Sequence, residues 1–107
     1  MNKLLFFFLF FYLHVGSVYS DIIKPNTKIE PYNVVEIQLI SLKNNDKPDK
    51  DFGIEQTWEF AHPENKINTG PLNNFKKMLK NEIYSILLNH KDHKIEEIYN
   101  NKKIAIY

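Results

Sequence analysis

Residues Asp51 to Pro63, DFGIEQTWEFAHP, carry both a start and a stop signal for a helix. Asp51 belongs to the residue class that caps helix N-termini, because a short carboxylate can accept from free backbone N–H groups. Ile54, Thr57, Trp58 and Ala61 then fall at i, i+3, i+4 and i+7, which sets them on one face. Pro63 pushes His62 out of the helical region, so the helix closes there. Pro63 then starts a short turn through Ile67. Thr69-Gly70-Pro71 follows, pairing a residue that tolerates positive φ with one suited to a first helical turn. The next helix directs Leu72, Phe75, Met78 and Leu79 toward a core.

Upstream of Asp51, Asn44–Lys50 reads as a polar, proline-broken loop. Before it, Asn33 is the expected cap of a helix starting at Val34, with Val35, Leu39 and Leu42 flanked by Val34, Ile37 and Ile40 in a wide apolar stripe. Asp21–Pro31 carries prolines and little periodicity, and reads as an extended leader. Downstream, Ile83, Ile86 and Leu87 suggest a short helix over Asn81–Leu88, although Tyr84 and Leu88 spread the apolarity round it. From His93 the texture becomes alternating. Strands over Lys94–Tyr99 and Lys102–Tyr107 flank Asn100-Asn101, and Asn accepts the left-handed conformation of tight turns. The expected architecture is α+β, with about three helices packed on a short antiparallel β-hairpin in a single domain over residues 32–107.

Composition narrows the chemistry. The chain has 107 residues, 14 Lys without any Arg, 13 acidic residues and no Cys. That length holds one domain. The near-neutral balance argues against nucleic acid as a partner, which would call for a clustered basic surface. Without Cys there is no disulfide framework, thiol nucleophile or Cys-ligated metal. Abundant Asn, Ile and Lys beside scarce Ala look like AT-rich codon usage.

The first twenty residues read as an address. Met1-Asn2-Lys3 is a short positive start, Leu4–Leu13 (LLFFFLFFYL) is an unbroken apolar run, and His14–Ser20 turns polar and small. This order is that of a secretory signal peptide, cleaved after Ser20 or, as the alternative, after Ser17. Ten apolar residues span about 15 Å as a helix, half of a roughly 30 Å hydrocarbon core. A stable membrane span is thus the weaker reading. The mature chain is expected to be secreted or periplasmic, and without a disulfide its core must hold it alone.

Several blocks together resemble the DUF4864 family of small domains of unknown function. They are Asn45-Asp46-x-Pro48, the run Gly53–Pro63, Asn65, Thr69-Gly70-Pro71-Leu72-x-x-Phe75, Tyr84, and Leu87-Leu88-Asn89-His90. The similarity spans Val34 to Tyr99. It implies an NTF2-like, cystatin-like cone, with helices on a curved antiparallel sheet and a pocket between them. It implies no activity. One departure matters: such cones usually continue past the first hairpin, whereas the second strand here ends at Tyr107. Either the hairpin closes on the helices, or a homodimer mate or other partner chain completes the sheet along Lys102–Tyr107, or the frame is truncated.

Candidate sites are few. His90, Asp92 and His93 have the spacing to begin a zinc site, but no third convergent ligand is legible, and a solvated connector is the simpler reading. Asn44–Glu55 has the length of a calcium loop but places Pro48 and Asp49 where that loop needs a ligand and a glycine. Asp46, Asp49 and Asp51 therefore read as solvation and capping. His62 reads first as a helix-end residue against terminal carbonyls. Ser41 and Ser85 lack a nucleophile elbow. Glu96 and Glu97 face opposite sides of a strand, and Lys76, Lys77 and Lys80 read as a solvated basic face.

The expectation for function is an exported, non-catalytic ligand-binding or scaffold module without metal or cofactor. A small, mostly apolar ligand would sit against Trp58, Phe60, Phe75 and Tyr84, with His62 and Asn65 as polar contacts. Two alternatives stand beside it: an enzyme using His62 and Glu59 as acid and base, and a chain paired through its exposed strand edge.

Overall fold

The structure, a computed structural model, describes residues 21–107. The signal-peptide reading of residues 1–20 lies outside the described residues. The order of elements is α1 (Pro31–Lys43), α2 (Phe52–Glu59), α3 (Pro63–Thr69), α4 (Leu72–Leu79), a 3-10 turn (Ser85–Leu87), β1 (Tyr99–Asn100) and β2 (Ala105–Ile106). The described residues are α+β, with four α-helices where about three were expected.

The helices close on one another around Leu42, Ile54, Phe75 and Leu79, with Trp58, Leu72, Met78, Leu87 and Leu88 packed against that cluster. Ile54, from the middle of the stretch quoted first, is fully buried. The approach of α1 and α2 is set by Gly53. A Cβ there would lie 2.0 Å from the Ser41 carbonyl oxygen and 2.7 Å from Asn45 Cα. Only a residue without a side chain lets the two backbones come this close.

Much of the α1–α2 contact is polar and locked. Thr57 Oγ1 lies 3.3 Å from the Gln38 carbonyl as well as donating to the Gly53 carbonyl within α2 (2.8 Å), and Gln38 Nε2 donates to the Thr57 carbonyl (3.2 Å). Buried Asn45 accepts from the Ile54 N–H at Oδ1 (2.9 Å), while its own carbonyl accepts from the Gly53 N–H (2.9 Å). Satisfying both donors at the start of α2 is the capping work that Asp51 was expected to do.

Asp51 is the first correction. It stands at the N-cap position but in the left-handed region (φ 62°, ψ 12°), and its side chain caps nothing. The carboxylate instead accepts from Lys80 Nζ at 2.6 Å and from Asn45 Nδ2 at 3.3 Å. Asp46 accepts from the Asp51 N–H (3.1 Å) and, at its other oxygen, from Asn89 Nδ2 (3.1 Å). The loop read as solvated is thus a clasp tying α1, α2, α4 and the segment after the 3-10 turn. Lys76, bonded to Glu55 at 3.1 Å, and Lys80 are likewise ion-paired rather than free.

Other boundaries move for identifiable reasons. Helix α1 starts at Pro31, with Glu30 as its N-cap, because a proline fits the first helical turn; Asn33 lies inside the helix. Of its stripe, Leu42 is buried while Ile40 is exposed. Pro63 opens a complete helix, α3, rather than a short turn to Ile67. The expected helix over Asn81–Leu88 shrinks to the 3-10 turn. Asn81 Oδ1 takes the N–H groups of Ile83 and Tyr84, both at 2.9 Å, which competes with helical bonding, and Ile83 and Ile86 are exposed.

The hairpin forms in the expected order but with strands of two residues each, pairing Tyr99 with Ile106 and Asn100 with Ala105. Its turn sits later than Asn100-Asn101. Asn101 Oδ1 accepts from the N–H groups of Lys103 and Ile104, both at 2.8 Å, so Lys102 belongs to the turn. Tyr107 meets Tyr32 edge to face, with ring centroids 5.9 Å apart, linking the hairpin to α1. The leader is extended as expected through Pro25, and buried Gln56 holds it by both backbone groups of Ile23. No helix among the described residues is long and apolar enough to cross a membrane.

Candidate functional site

The α2–α3 junction builds one wall of a groove. Phe60, the C-cap of α2, and Ala61 follow that helix; His62 then turns extended (φ −59°, ψ 141°) and becomes the N-cap of α3. Its Nδ1 accepts from the Glu64 N–H at 3.1 Å. The sequence reading placed His62 against the closing carbonyls of the helix before it. The structure instead makes it the cap of the helix after it, because Pro63 ends one helix and opens the next.

Asn65 and Thr69 lie one turn apart on α3, and Thr69 Oγ1 donates to the Asn65 carbonyl at 2.8 Å. Phe75 and Met78 from α4, Gln38 from α1 and Tyr84 complete the lining of a cavity of about 480 Å³. That size falls within the range of small-molecule clefts, roughly 300–1,000 Å³. Its character is mixed: Phe60, Phe75, Met78 and Tyr84 provide the apolar walls, and Gln38, His62, Asn65 and Thr69 provide polar groups.

Phe60, His62, Asn65, Phe75 and Tyr84 are thus brought together, and Trp58 is not. Gln38, Ala61, Thr69 and Met78 were missed. Met78 had been assigned to the core by its spacing. No local signal marks Gln38, which reaches the groove only because α1 packs beside α2.

Trp58 belongs to a second, smaller groove of about 260 Å³ with Ile22, Lys24, Glu55, Glu59 and Leu72. Lys66 Nζ sits over its ring, 4.4 Å from the centroid. The Trp58 Nε1 atom is buried without a hydrogen-bond partner. Glu59 lines this second groove and is bonded by Lys24. Glu59 and His62 therefore open onto different grooves. With Nδ1 accepting from a backbone N–H, neutral His62 carries its own proton on Nε2 and offers a donor rather than a base.

Of the groups weighed for metals, Asp46 and Asp51 are occupied by the donors described above. His90 and His93 face each other, with Nε2 of the first 2.7 Å from Nδ1 of the second. No group of three His, Asp or Glu side chains converges among the described residues. Glu96 pairs with Lys94 at 2.8 Å, and Glu97 accepts from Asn100 Nδ2 at 2.8 Å. Compared with known proteins, the chain matches no family model, no curated protein and no solved structure.

Proposed function

We propose that this chain is an exported, non-catalytic binding module whose larger groove takes a small, mostly apolar molecule. The observation that carries the reading is the groove itself. Phe60, Phe75, Met78 and Tyr84 converge from three separate segments, with Gln38, His62, Asn65 and Thr69 spaced among them. Apolar walls supply the burial that drives binding, and a few polar groups fix orientation. The likeness of Gly53–Pro63 and Thr69–Phe75 to the DUF4864 family supports only the expectation of a pocket beside the helices. The apolar run Leu4–Leu13 supports export.

The test is a titration of the isotope-labelled chain with indole, followed by amide NMR. Shifts confined to residues around Ala61, Asn65, Thr69 and Met78, and a tenfold or greater loss of affinity in Tyr84→Ala, are expected. Tyr84 is 42 % exposed, so its truncation tests the groove more than the core. Shifts scattered over the surface, or no saturable binding, would overturn the reading. Export is checked separately by the mass of the chain recovered outside the cytoplasm, where a new N-terminus at Asp21 is expected.

A second reading concerns the hairpin. Ile98, Tyr99, Ile104 and Ile106 are all exposed around a sheet that has two strands among the described residues. Such an edge is a template for pairing with a strand of another chain. Light scattering across a hundredfold range of concentration tests this reading: a mass that doubles supports it, and a constant monomer removes it.

A further inference from the structure

His90 follows the 3-10 turn, and its Nδ1 lies 2.6 Å from the Leu87 carbonyl oxygen. A carbonyl only accepts, so Nδ1 carries the proton, and neutral His90 presents a bare lone pair at Nε2. That lone pair meets His93 Nδ1 at 2.7 Å. Two ring nitrogens at this separation share one proton, supplied here as the Nδ1–H of His93. A carbonyl bonded to the far nitrogen is also the device that fixes the tautomer and orientation of metal-ligating histidines. The rings meet edge to face, at 63° with centroids 5.0 Å apart, and water reaches the pair.

We propose that His90 Nε2 and His93 Nδ1 form a two-histidine site for a divalent transition-metal ion, copper(II) above zinc(II), in which the metal takes the place of the shared proton. Cis nitrogens on a square-planar ion stand about 2.8–2.9 Å apart, whereas a tetrahedral ion spreads them to about 3.3 Å. The 2.7 Å contact brings the two nitrogens within reach of one ion once both rings turn their lone pairs toward it, and nitrogen ligands bind copper(II) more tightly than zinc(II). On binding, His93 moves its proton from Nδ1 to Nε2 through solvent, so the protein's charge is unchanged. Water fills the remaining positions, which the open surface permits.

The charged neighbours do not block a dication. Lys94 is paired with Glu96, and Asp92, between the two histidines in sequence, offsets the charge of the neighbouring Lys91. Asp46 is tied to Asn89, the residue before His90. That bond and the left-handed backbone of Asn89 (φ 56°) anchor the start of the segment that presents the pair.

The experiment is a copper(II) titration of the full chain, read by electron paramagnetic resonance and visible absorption, with zinc(II) in parallel. A signal showing two nitrogen ligands is expected. His90→Gln and His93→Gln should each weaken copper binding at least tenfold, and zinc should bind at least tenfold more weakly than copper. Far-UV circular dichroism identifies any variant that loses its fold. Exposed His93 supplies the decisive variant if His90→Gln proves unstable. Copper affinity retained in His93→Gln, zinc binding as tight as copper, or no copper binding at 100-fold excess would each overturn the proposal.

Discussion

Lys80 Nζ stands 2.6 Å from Asp51 Oδ2, joining the end of α4 to the start of α2 across 29 residues of sequence. The contact explains a residue that its local context misrepresents. Asp51 sits in a left-handed conformation and leaves the capping to Asn45. Its carboxylate is free to anchor a lysine, and the small core around Ile54 gains a polar clasp at one end.

Removing the lysine should therefore cost more than an ordinary surface change. Lys80→Met keeps most of the aliphatic stem and deletes the charge, leaving Asp51 with Asn45 as its remaining side-chain donor. A loss of about 1–2 kcal/mol is expected, at the lower part of the range for bonds to charged groups, because the Lys80 side chain is 44 % exposed. Urea unfolding followed by circular dichroism measures it. A change within a few tenths of a kcal/mol would mean that the pair is no stronger than a surface bridge.

The same pair sets an acid limb on stability. The Lys80 hydrogen bond holds the Asp51 carboxyl below its ordinary value of 3.8, against burial, which pushes it up. A carboxyl depressed in the folded state contributes fully above its unfolded value, and the contribution disappears as pH falls through the folded value. Stability should fall as pH drops below about 4, where carboxylates begin to take up protons. Asp51→Asn should be less stable than the parent at neutral pH, with the gap closing toward pH 2. Parallel curves for the two proteins would show that Asp51 contributes nothing to the acid limb.

Gly53 offers a steric test of the α1–α2 approach. The Cβ of Gly53→Ala would fall 2.0 Å from a backbone oxygen and 2.7 Å from a Cα, neither of which can swing aside like a side chain. Overpacking of this kind costs about 1–3 kcal/mol or more, outweighing the better helix propensity of Ala. Thermal unfolding of Gly53→Ala should show a transition lowered by several degrees. An unchanged midpoint would mean that the helices can separate without penalty.

What the sequence made legible was periodic and local. The apolar spacing in Asp51–Pro63 and Leu72–Leu79, with a proline at each break, yields two helices close to those observed, and Phe75 and Leu79 are buried as expected. The roles of Asp51 and His62 were not legible. Their types signal a cap and a helix end, whereas partners 29 residues and two residues away determine what they do. The apolar Ile83 and Ile86 misled for the opposite reason: a pattern of hydrophobicity does not by itself provide a surface to pack against. Most groove residues could be proposed from chemistry alone, but Trp58 could not be separated from them. It shares their stretch of chain and faces the other side of α2.

The leader is the last case, and it separates two kinds of loss. Gln56 is 2 % exposed and makes a two-way bond with Ile23: Oε1 accepts from its N–H at 2.7 Å, and Nε2 donates to its carbonyl at 2.9 Å. Gln56→Ala removes both bonds, and a loss of about 1–3 kcal/mol is expected, with faster amide exchange at Ile23. Gln56→Glu keeps the acceptor but sets a carboxylate oxygen against the Ile23 carbonyl in a buried position, so it should be the worse variant at neutral pH. Burial and the facing carbonyl raise the new carboxyl above its unfolded value, and protonation restores a donor. Relative to the parent, Gln56→Glu should recover stability as pH falls through that raised value, before the general acid limb sets in, whereas Gln56→Ala should not. No recovery in Gln56→Glu as pH falls would show that the new carboxyl is not held against the Ile23 carbonyl.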